Sequence, residues 1–544
     1  MERSKALKSQ IDCAENYFKY KLKDEMENYS NFVKGKQYKG TPDKDEVTFN
    51  IIHSTCQAVL DAILQNDPHI YIEPEDVSAI DPAPLLEKVL NREVIKLKVR
   101  RQVKLTTLDY IWFGMGITYC GYDYIKKNGK IIKDQPLILR IPFKEFYIDP
   151  ETRIEDLNSA KYMIRKIIKP TKDLKEDERY RHRKQFKADH ILDEDITKNL
   201  LSKDDIGRTT LYEIWSLDDK CAYVMSRDSD YIHREIPNLF GDSYPFLLMR
   251  NYEMPDELYP FGDIKILYEP QIILNRIFSL LIAHAKNAET IYMRNPDILI
   301  DEEARKLKNA KDREILSVQG DPEKALVPVQ NANLSPDVLN AFKIISDAIT
   351  QLSRVSEYRK SMMPIGQRKA TEAILVEQGS ELSSTTKRED VEELYEEIAR
   401  KIFIMIRAKY DNTRTILYKE DGRWVSAEYN KDTFPGEFSF RIEAGSTGPT
   451  NSYVRQQNAI AKLNVIKDLA ATNEQVAAMI NWQELLKSTL TDFDVKNIDQ
   501  IIMAAPMTGE TIGGPPNMQP DLSNLDPNVI RYLQEQGINL GGGY

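Results

Sequence analysis

QIILNRIFSLLIAHAKNA, residues 271–288, and SPDVLNAFKIISDAITQLSRVSEYR, residues 335–359, decide how this chain folds. In the first, Ile273, Ile277, Leu280, Leu281 and Ala285 recur at helical spacing, and 18 residues at 1.5 Å each span about 27 Å. The second opens with a Ser cap, Pro336 at the first helical position and Asp337 in the first turn. Its apolar residues Val338, Phe342, Ile345, Ile349 and Leu352 alternate spacings of four and three, a heptad seam that lies along another helix. Between the two, a strand (290–294), a charged helix (302–311), a strand (314–318) and an apolar run (325–329) read as one small α/β unit. Two long helices flanking so compact an insertion must run antiparallel and carry it at their far end.

Upstream, a helix over 5–36 with Ile11, Tyr17, Phe18 and Leu22 on one face precedes a second, capped by Asn50, with Ile52, Cys56, Val59 and Ile63 inward. A helical pattern then runs unbroken from Pro84 to Phe113. At Gly114 and Gly116 the period changes to alternation, and 117–127 and 130–140 pair through Asn128-Gly129 as a hairpin. Further strands are expected at 210–216, 221–226 and 231–236, with a charged mixture of helix and loop over 166–208. Pro270 is tolerable only in the first turns of its helix or at a kink. Downstream, a helix over 370–410 with a kink near Gly379 and Ser383–Thr386 turns Val391, Leu394, Ile398, Ile402 and Met405 inward. Its Glu396/Arg400 and Glu397/Lys401 pairs face outward. A hairpin centred on Asp421-Gly422 and an alternating strand, Phe438, Phe440 and Ile442, follow. Helices near 453–470, 473–490 and 494–505 precede a Pro/Gly-rich stretch, 506–544.

Composition limits the function. Among 544 residues, 75 Lys+Arg stand against 85 Asp+Glu, a formal charge of −10, with 41% hydrophobic and 29% charged residues. This describes a globular, charge-rich chain of about three or four domains. No run approaches about 18 uninterrupted apolar residues, so no membrane partner is expected. The N-terminus carries no apolar leader core. Cys13, Cys56, Cys120 and Cys221 show no paired spacing, which fits reduced thiols better than a disulfide frame or zinc site. Phosphate-cradling Gly-x-x-x-x-Gly-Lys-Ser/Thr is missing. Gly114-Met115-Gly116 leaves a helix instead of entering one, unlike a dinucleotide loop. Of the histidines at 53, 69, 182, 190, 233 and 284, none has the i, i+4 metal spacing, and His284 reads as a core or interface residue before a ligand. Neither catalytic residue, metal nor cofactor is expected.

By its residues alone the helix pair fits two readings. One is a helical hairpin inside an ordinary α+β enzyme, with Arg354, Arg359, Lys360, Arg368 and Lys369 a solvated basic turn. The other rests on resemblance. Asn251-Tyr252 through Pro260-Phe261-Gly262, then Glu269-Pro270-Gln271 and Asn275-Arg276, resemble the entry to the stem of tailed-phage portal proteins. Gly366-Gln367-Arg368-Lys369-Ala370-Thr371-Glu372 is similar to that family's tunnel loop and wing-helix start. Ala444-Gly445-Ser446-Thr447 with Asn451 and Arg455 is similar to a later strand-to-helix turn. The layout is closest to portals of short-tailed phages.

The resemblance implies an α+β, mostly helical fold assembled as a ring, commonly of twelve, around a channel. It assigns 1–260 to an N-terminal wing, 261–289 and 334–360 to the stem, 290–333 to a clip and 361–370 to a tunnel loop. It gives 371–450 to the kinked wing helix and β elements, 451–505 to C-terminal wing or short crown helices, and 506–544 to a flexible tail. Ile273, Ile277, Leu280, Val338, Phe342, Ile345, Ile349 and Leu352 would form the stem seam. Arg354, Arg359, Lys360, Arg368 and Lys369 would ring the DNA path. Arg294, Glu302, Arg305, Lys308, Lys311 and Arg313 would present the clip to the terminase large subunit and a tail adaptor. Double-stranded DNA, major capsid and scaffolding proteins complete the implied partners, at a capsid vertex after assembly in host cytoplasm. A smaller virion connector such as a tail adaptor, or a metal-dependent nuclease or hydrolase without a recognised motif, are the alternatives.

Overall fold

The computed structural model describes residues 2–38, 46–64, 68–127, 130–191, 207–287, 291–309, 318–329, 336–353, 370–420, 423–442 and scattered positions between 459 and 490. It divides into two compact units, Met1–Asn451 and Ser452–Tyr544. In the second unit, 459–460, 463–467, 482, 485–486 and 489–490 are helical. The remainder of its expected helices and the tail lie outside the described residues.

The first unit opens with helix α1 (Glu2–Val33) and helix α2 (Ile51–Ile63), whose first turn is capped as expected when the Asn50 side chain accepts from His53 N. Strand β1 (Ile70–Pro74) follows. The helical pattern 84–113 then divides: α3 (Ala83–Lys96) and α4 (Val99–Phe113) meet at Lys98, which adopts a left-handed φ of 55°. Neither Gly nor Pro marks that break, so periodicity alone carried the pattern across it. The long hairpin β2 (Met115–Lys127) and β3 (Lys130–Ile141) pairs as its alternation implies, and β10 (Phe246–Arg250) adds to the free edge of β2.

Between them lies an antiparallel six-stranded sheet. Its path runs β4 (Phe146–Ile148), β5 (Met163–Pro170), β7 (Gly207–Ser216), β8 (Cys221–Ser226), β9 (Arg234–Pro237), with β6 (His190–Ile191) paired to β7. The charged stretch 166–208 therefore begins as strand, continues as helix α5 (Thr171–Glu176), and returns to strand. Charged residues sit in β5 because Arg165 pairs with Glu213 of β7 and stacks on the Tyr119 ring. The first half of α1 covers this sheet, with Phe18 edge-on to Phe143, Tyr147 and Tyr259 at 5.3–5.5 Å.

The second core gathers α2, β1, α3, α4 and the later elements α6 (Asp263–Asn287), α8 (Pro336–Ser353) and α9 (Ala370–Lys409). Helix α6 begins at Asp263, at the head of the span 261–289 expected for the first stem helix, and carries Pro270 inside it. Between α6 and α8 come β11 (Ile291–Arg294), α7 (Asp301–Asn309) and β12 (Leu326–Val329), with β11 and β12 antiparallel. The strand expected at 314–318 lies outside the described residues. Helix α9 is one element of 40 residues. Val391, Leu394, Ile398, Ile402 and Met405 are buried as their period requires. Lys401, expected outward, is buried instead: its ammonium donates to Ser243 Oγ at 2.5 Å and Tyr244 O at 3.0 Å over the Phe240 ring. Arg400 pairs with Glu397, and Glu396 accepts from Ile442 N at 2.9 Å. The hairpin β13 (Arg414–Glu420) and β14 (Arg423–Tyr429) and strand β15 (Phe438–Ile442) close the unit, β15 pairing with β1.

Candidate functional site

Helices α6 and α8 run antiparallel, as the short module between them demands. Phe278 lies 6.1 Å from Phe342 between ring centroids, with Phe49 5.2 and 6.2 Å from them. At the opposite end Leu352 lines a small recess with Ile266 and Leu267. Of the expected seam, Ile349 is buried and Ile277, Val338, Phe342 and Ile345 are half-buried. Ile273, Leu280 and Leu352 are exposed on the single chain, Leu280 by 62%. The intramolecular contact of α6 is instead carried by Ile264, Leu267, Leu274 and Phe278, roughly one position round the helix from the stripe read in sequence. The displaced apolar residues face outward, as does Ile344 of α8 at 66%. By length and composition alone Asp263–His284 is apolar enough to cross a membrane, with mean hydropathy 1.3 over a window only 22% buried. A single such helix, starting at a buried ion pair, is an unpartnered apolar face before it is a membrane span.

Polar side chains on the same helix fix it to the N-terminal layer. Gln271, Asn275 and Ser279, at i, i+4 and i+8, line one edge of α6. Gln271 Oε1 accepts from Ile51 N (3.1 Å) and Ile52 N (3.2 Å), and its Nε2 donates to Phe49 O (2.7 Å) and Asn275 Oδ1 (2.9 Å). Asn275 Oδ1 also accepts from Phe49 N at 3.0 Å, and its Nδ2 donates to Gln37 Oε1. Ser279 Oγ accepts from Val47 N at 3.0 Å and meets Tyr38 OH at 3.1 Å. The ladder supplies partners to the unpaired N–H groups at the start of α2, which any helix start leaves open. Sequence reading missed it, although amides repeating every fourth residue were its visible sign.

The foot of α6 is seated by two glycines and an ion pair. A Cβ on Gly114 would stand 2.3 Å from the Phe261 backbone, and one on Gly262 would stand 2.5 Å from the carbonyls of Ile111 and Trp112. Gly114 additionally holds φ 94°. Only glycine permits so close an approach between the end of α4 and the entry to α6. There Asp263 accepts from Lys387 Nζ with both oxygens at 2.6 Å, from Tyr252 OH at 3.0 Å and from Asn251 Nδ2 at 3.1 Å. One helical turn on, Asp390 accepts from Tyr110 OH at 2.5 Å, and burial raises both groups above their ordinary values. The quoted motif Asn251-Tyr252 … Pro260-Phe261-Gly262 is therefore the seat that binds α6 to α4 and α9.

The inserted module places Arg294 at the end of β11, paired with Asp301, and Glu302 and Arg305 exposed on α7. Lys308 lies on α7. Lys311 and Arg313 lie outside the described residues, as do Arg354, Arg359, Lys360, Arg368 and Lys369. Among the described residues no group of three or more His, Cys, Asp or Glu is arranged to hold a metal. His233 is a core residue, its Nδ1 3.0 Å from Arg181 O and its ring 4.1 Å from Phe186. The four cysteines are free thiols.

No curated protein matches the chain. A family model described as phage P22-like portal protein matches residues 24–235, the stretch from α1 through β9, upstream of the helix pair. That family is structural and non-enzymatic, its members oligomeric components of the phage capsid. The match over residues 24–235, under half of the chain, supports reading it as a phage portal protein.

Proposed function

We propose that copies of this chain close into a ring at one capsid vertex, with α6 and α8 as the walls of a channel through which double-stranded DNA is packaged and later released. The observation that carries this reading is the antiparallel helix pair with exposed apolar residues on both members, Ile273 and Leu280 on α6 and Ile344 and Leu352 on α8. A ring interface is heterologous and closes by rotation, so each helix pair covers its neighbour's apolar face. The module over 290–333 is then the clip, outside the capsid, docking the terminase large subunit during packaging and a tail adaptor afterwards. Residues 361–370 form the tunnel loop. The ring is a dodecamer, with capsid and scaffolding proteins meeting its wing.

The charge supports a conduit. Helices α6 and α8 balance four acidic residues against four basic ones in a chain of net charge −10, so a moving polyanion meets no deep electrostatic trap along them, while Arg354, Arg359, Lys360, Arg368 and Lys369 supply thin rings of transient contact. Negative-stain imaging of the purified protein tests the reading: annular particles with a central hole are expected. Particles that remain single across buffers and concentrations would overturn it.

A further inference from the structure

We propose that the elbow between α3 and α4 is a docking surface for an acidic polypeptide segment that also carries apolar side chains. From Val94 to Leu108 the chain holds Lys96, Lys98, Arg100, Arg101 and Lys104 and no acidic residue, in a molecule whose net charge is −10. All five are exposed. Lys96 is engaged by Glu93 at 3.0 Å, whereas Lys98, Arg101 and Lys104 have no ion pair among the described residues. Arg101, Lys104 and Leu105 share the outer face of α4, opposite the buried Val99, Val103, Thr106 and Tyr110.

Lys98 marks the surface as more than a soluble face. It sits just past the end of α3 with φ 55° and ψ 41°, a left-handed position that helix ends ordinarily give to Gly or Asn. Its backbone bonds, Lys98 N to Ile95 O and Arg101 N to Lys98 O, ask nothing of its side chain. A glycine would make both without strain, so what the lysine adds is charge at the apex of the elbow.

The neighbouring apolar residues choose the partner. Ile95 is 77% exposed and Leu105 37% exposed, flanking the basic run on either side of the elbow. A phosphate backbone offers nothing to such side chains. An acidic segment bearing Leu- or Phe-like residues satisfies both features, and its short reach confines it to the basic patch, where a long nucleic acid meets the repulsion of the whole acidic molecule.

Fluorescence anisotropy on the purified full chain tests this with two probes, a labelled synthetic peptide of repeating Leu-Glu-Glu and a labelled short DNA duplex. The peptide is expected to bind more tightly than the duplex. Arg101→Glu with Lys104→Glu should weaken peptide binding by roughly tenfold or more. Ile95→Ser with Leu105→Ser should weaken it by a few-fold at high salt, where screening leaves the apolar contribution. Lys98→Gly should lower affinity while leaving the thermal midpoint unchanged or raised, which separates the loss from misfolding. Peptide binding unchanged by the charge reversals, or a duplex bound as tightly and indifferent to Ile95→Ser, would overturn the proposal. Its outcome is independent of whether the chain closes into rings.

Discussion

Gln271 fixes α6 to the start of α2. It answers two amide N–H groups at the start of α2 and the carbonyl of Phe49, across more than 200 residues of sequence. Gln271→Leu keeps the volume but leaves Ile52 N unpaired and Ile51 N and Phe49 O only their bond to each other, at about 1–3 kcal/mol for a buried group left without its partner. A loss of about 2–4 kcal/mol in urea unfolding is expected, with earlier proteolysis near Val47–Asn50. A loss below about 0.5 kcal/mol would show that water replaces the amide without cost. Asp109 gives a pH test. Burial pushes its carboxyl up to about 6, although Arg140 Nε and Nη2 each donate to it at 2.6 Å. The folded chain therefore binds this proton more readily than the unfolded chain. Stability from this group is full below about pH 4 and declines as pH rises toward 6. Relative to Asp109→Asn, wild type should lose on the order of 1–3 kcal/mol between those limits, read from denaturant midpoints at several pH values. A gap that stays constant, or widens in favour of wild type as pH rises, contradicts the assignment. The four-residue spacing of Gln271 and Asn275 was visible beforehand, but what Gln271 and Asp109 hold was not, because both act through partners distant in sequence or on a strand whose packing no local pattern reveals.

At the scale of elements, what sequence could reveal depended on how local the deciding interaction was. The β2–β3 hairpin, the Asn50 cap and the inward face of α9 are set by neighbours within a few residues, and each stands where its period placed it. Strand β1 escaped notice because it is five residues long and pairs with β15, Ile70 opposite Ile442. The bend at Lys98 escaped because the chain enters a left-handed turn without the glycine that ordinarily announces one. Helix α6 is the instructive intermediate: its existence was plain, but its apolar residues exceed one face, and the reading chose the stripe that the fold leaves exposed. That error carries a prediction. If Ile273 and Leu280 meet a neighbouring copy, Ile273→Asp with Leu280→Asp should leave the far-ultraviolet circular dichroism and thermal midpoint of the single chain nearly unchanged. Assembly should be abolished in sedimentation velocity. Leu274→Asp, inside the core, should instead unfold the chain. Rings formed by the double variant would remove these residues from the interface.

For the whole molecule, the seat at Asp263 ties three levels together. The ion pair with Lys387 joins the foot of α6 to α9, and Tyr110 joins α9 to α4 through Asp390. The segment 354–369 leads into α9, the helix that this ion pair joins to α6. In the portal reading its basic residues, with Arg354, are the ones that passing DNA meets. Replacing Arg359, Lys360, Arg368 and Lys369 by Ala removes four charges per copy and leaves the apolar residues of α6 and α8 untouched. Ring assembly should therefore persist by negative-stain imaging, while the amount of nuclease-protected DNA per assembled head falls. Salt dependence separates this from a folding defect. A contact made through phosphates weakens in wild type as ionic strength rises, so the difference between wild type and variant should narrow at high salt. Heads of the Ala variant that fill and retain DNA as wild type does, at every salt concentration, would reduce these side chains to a solvated turn.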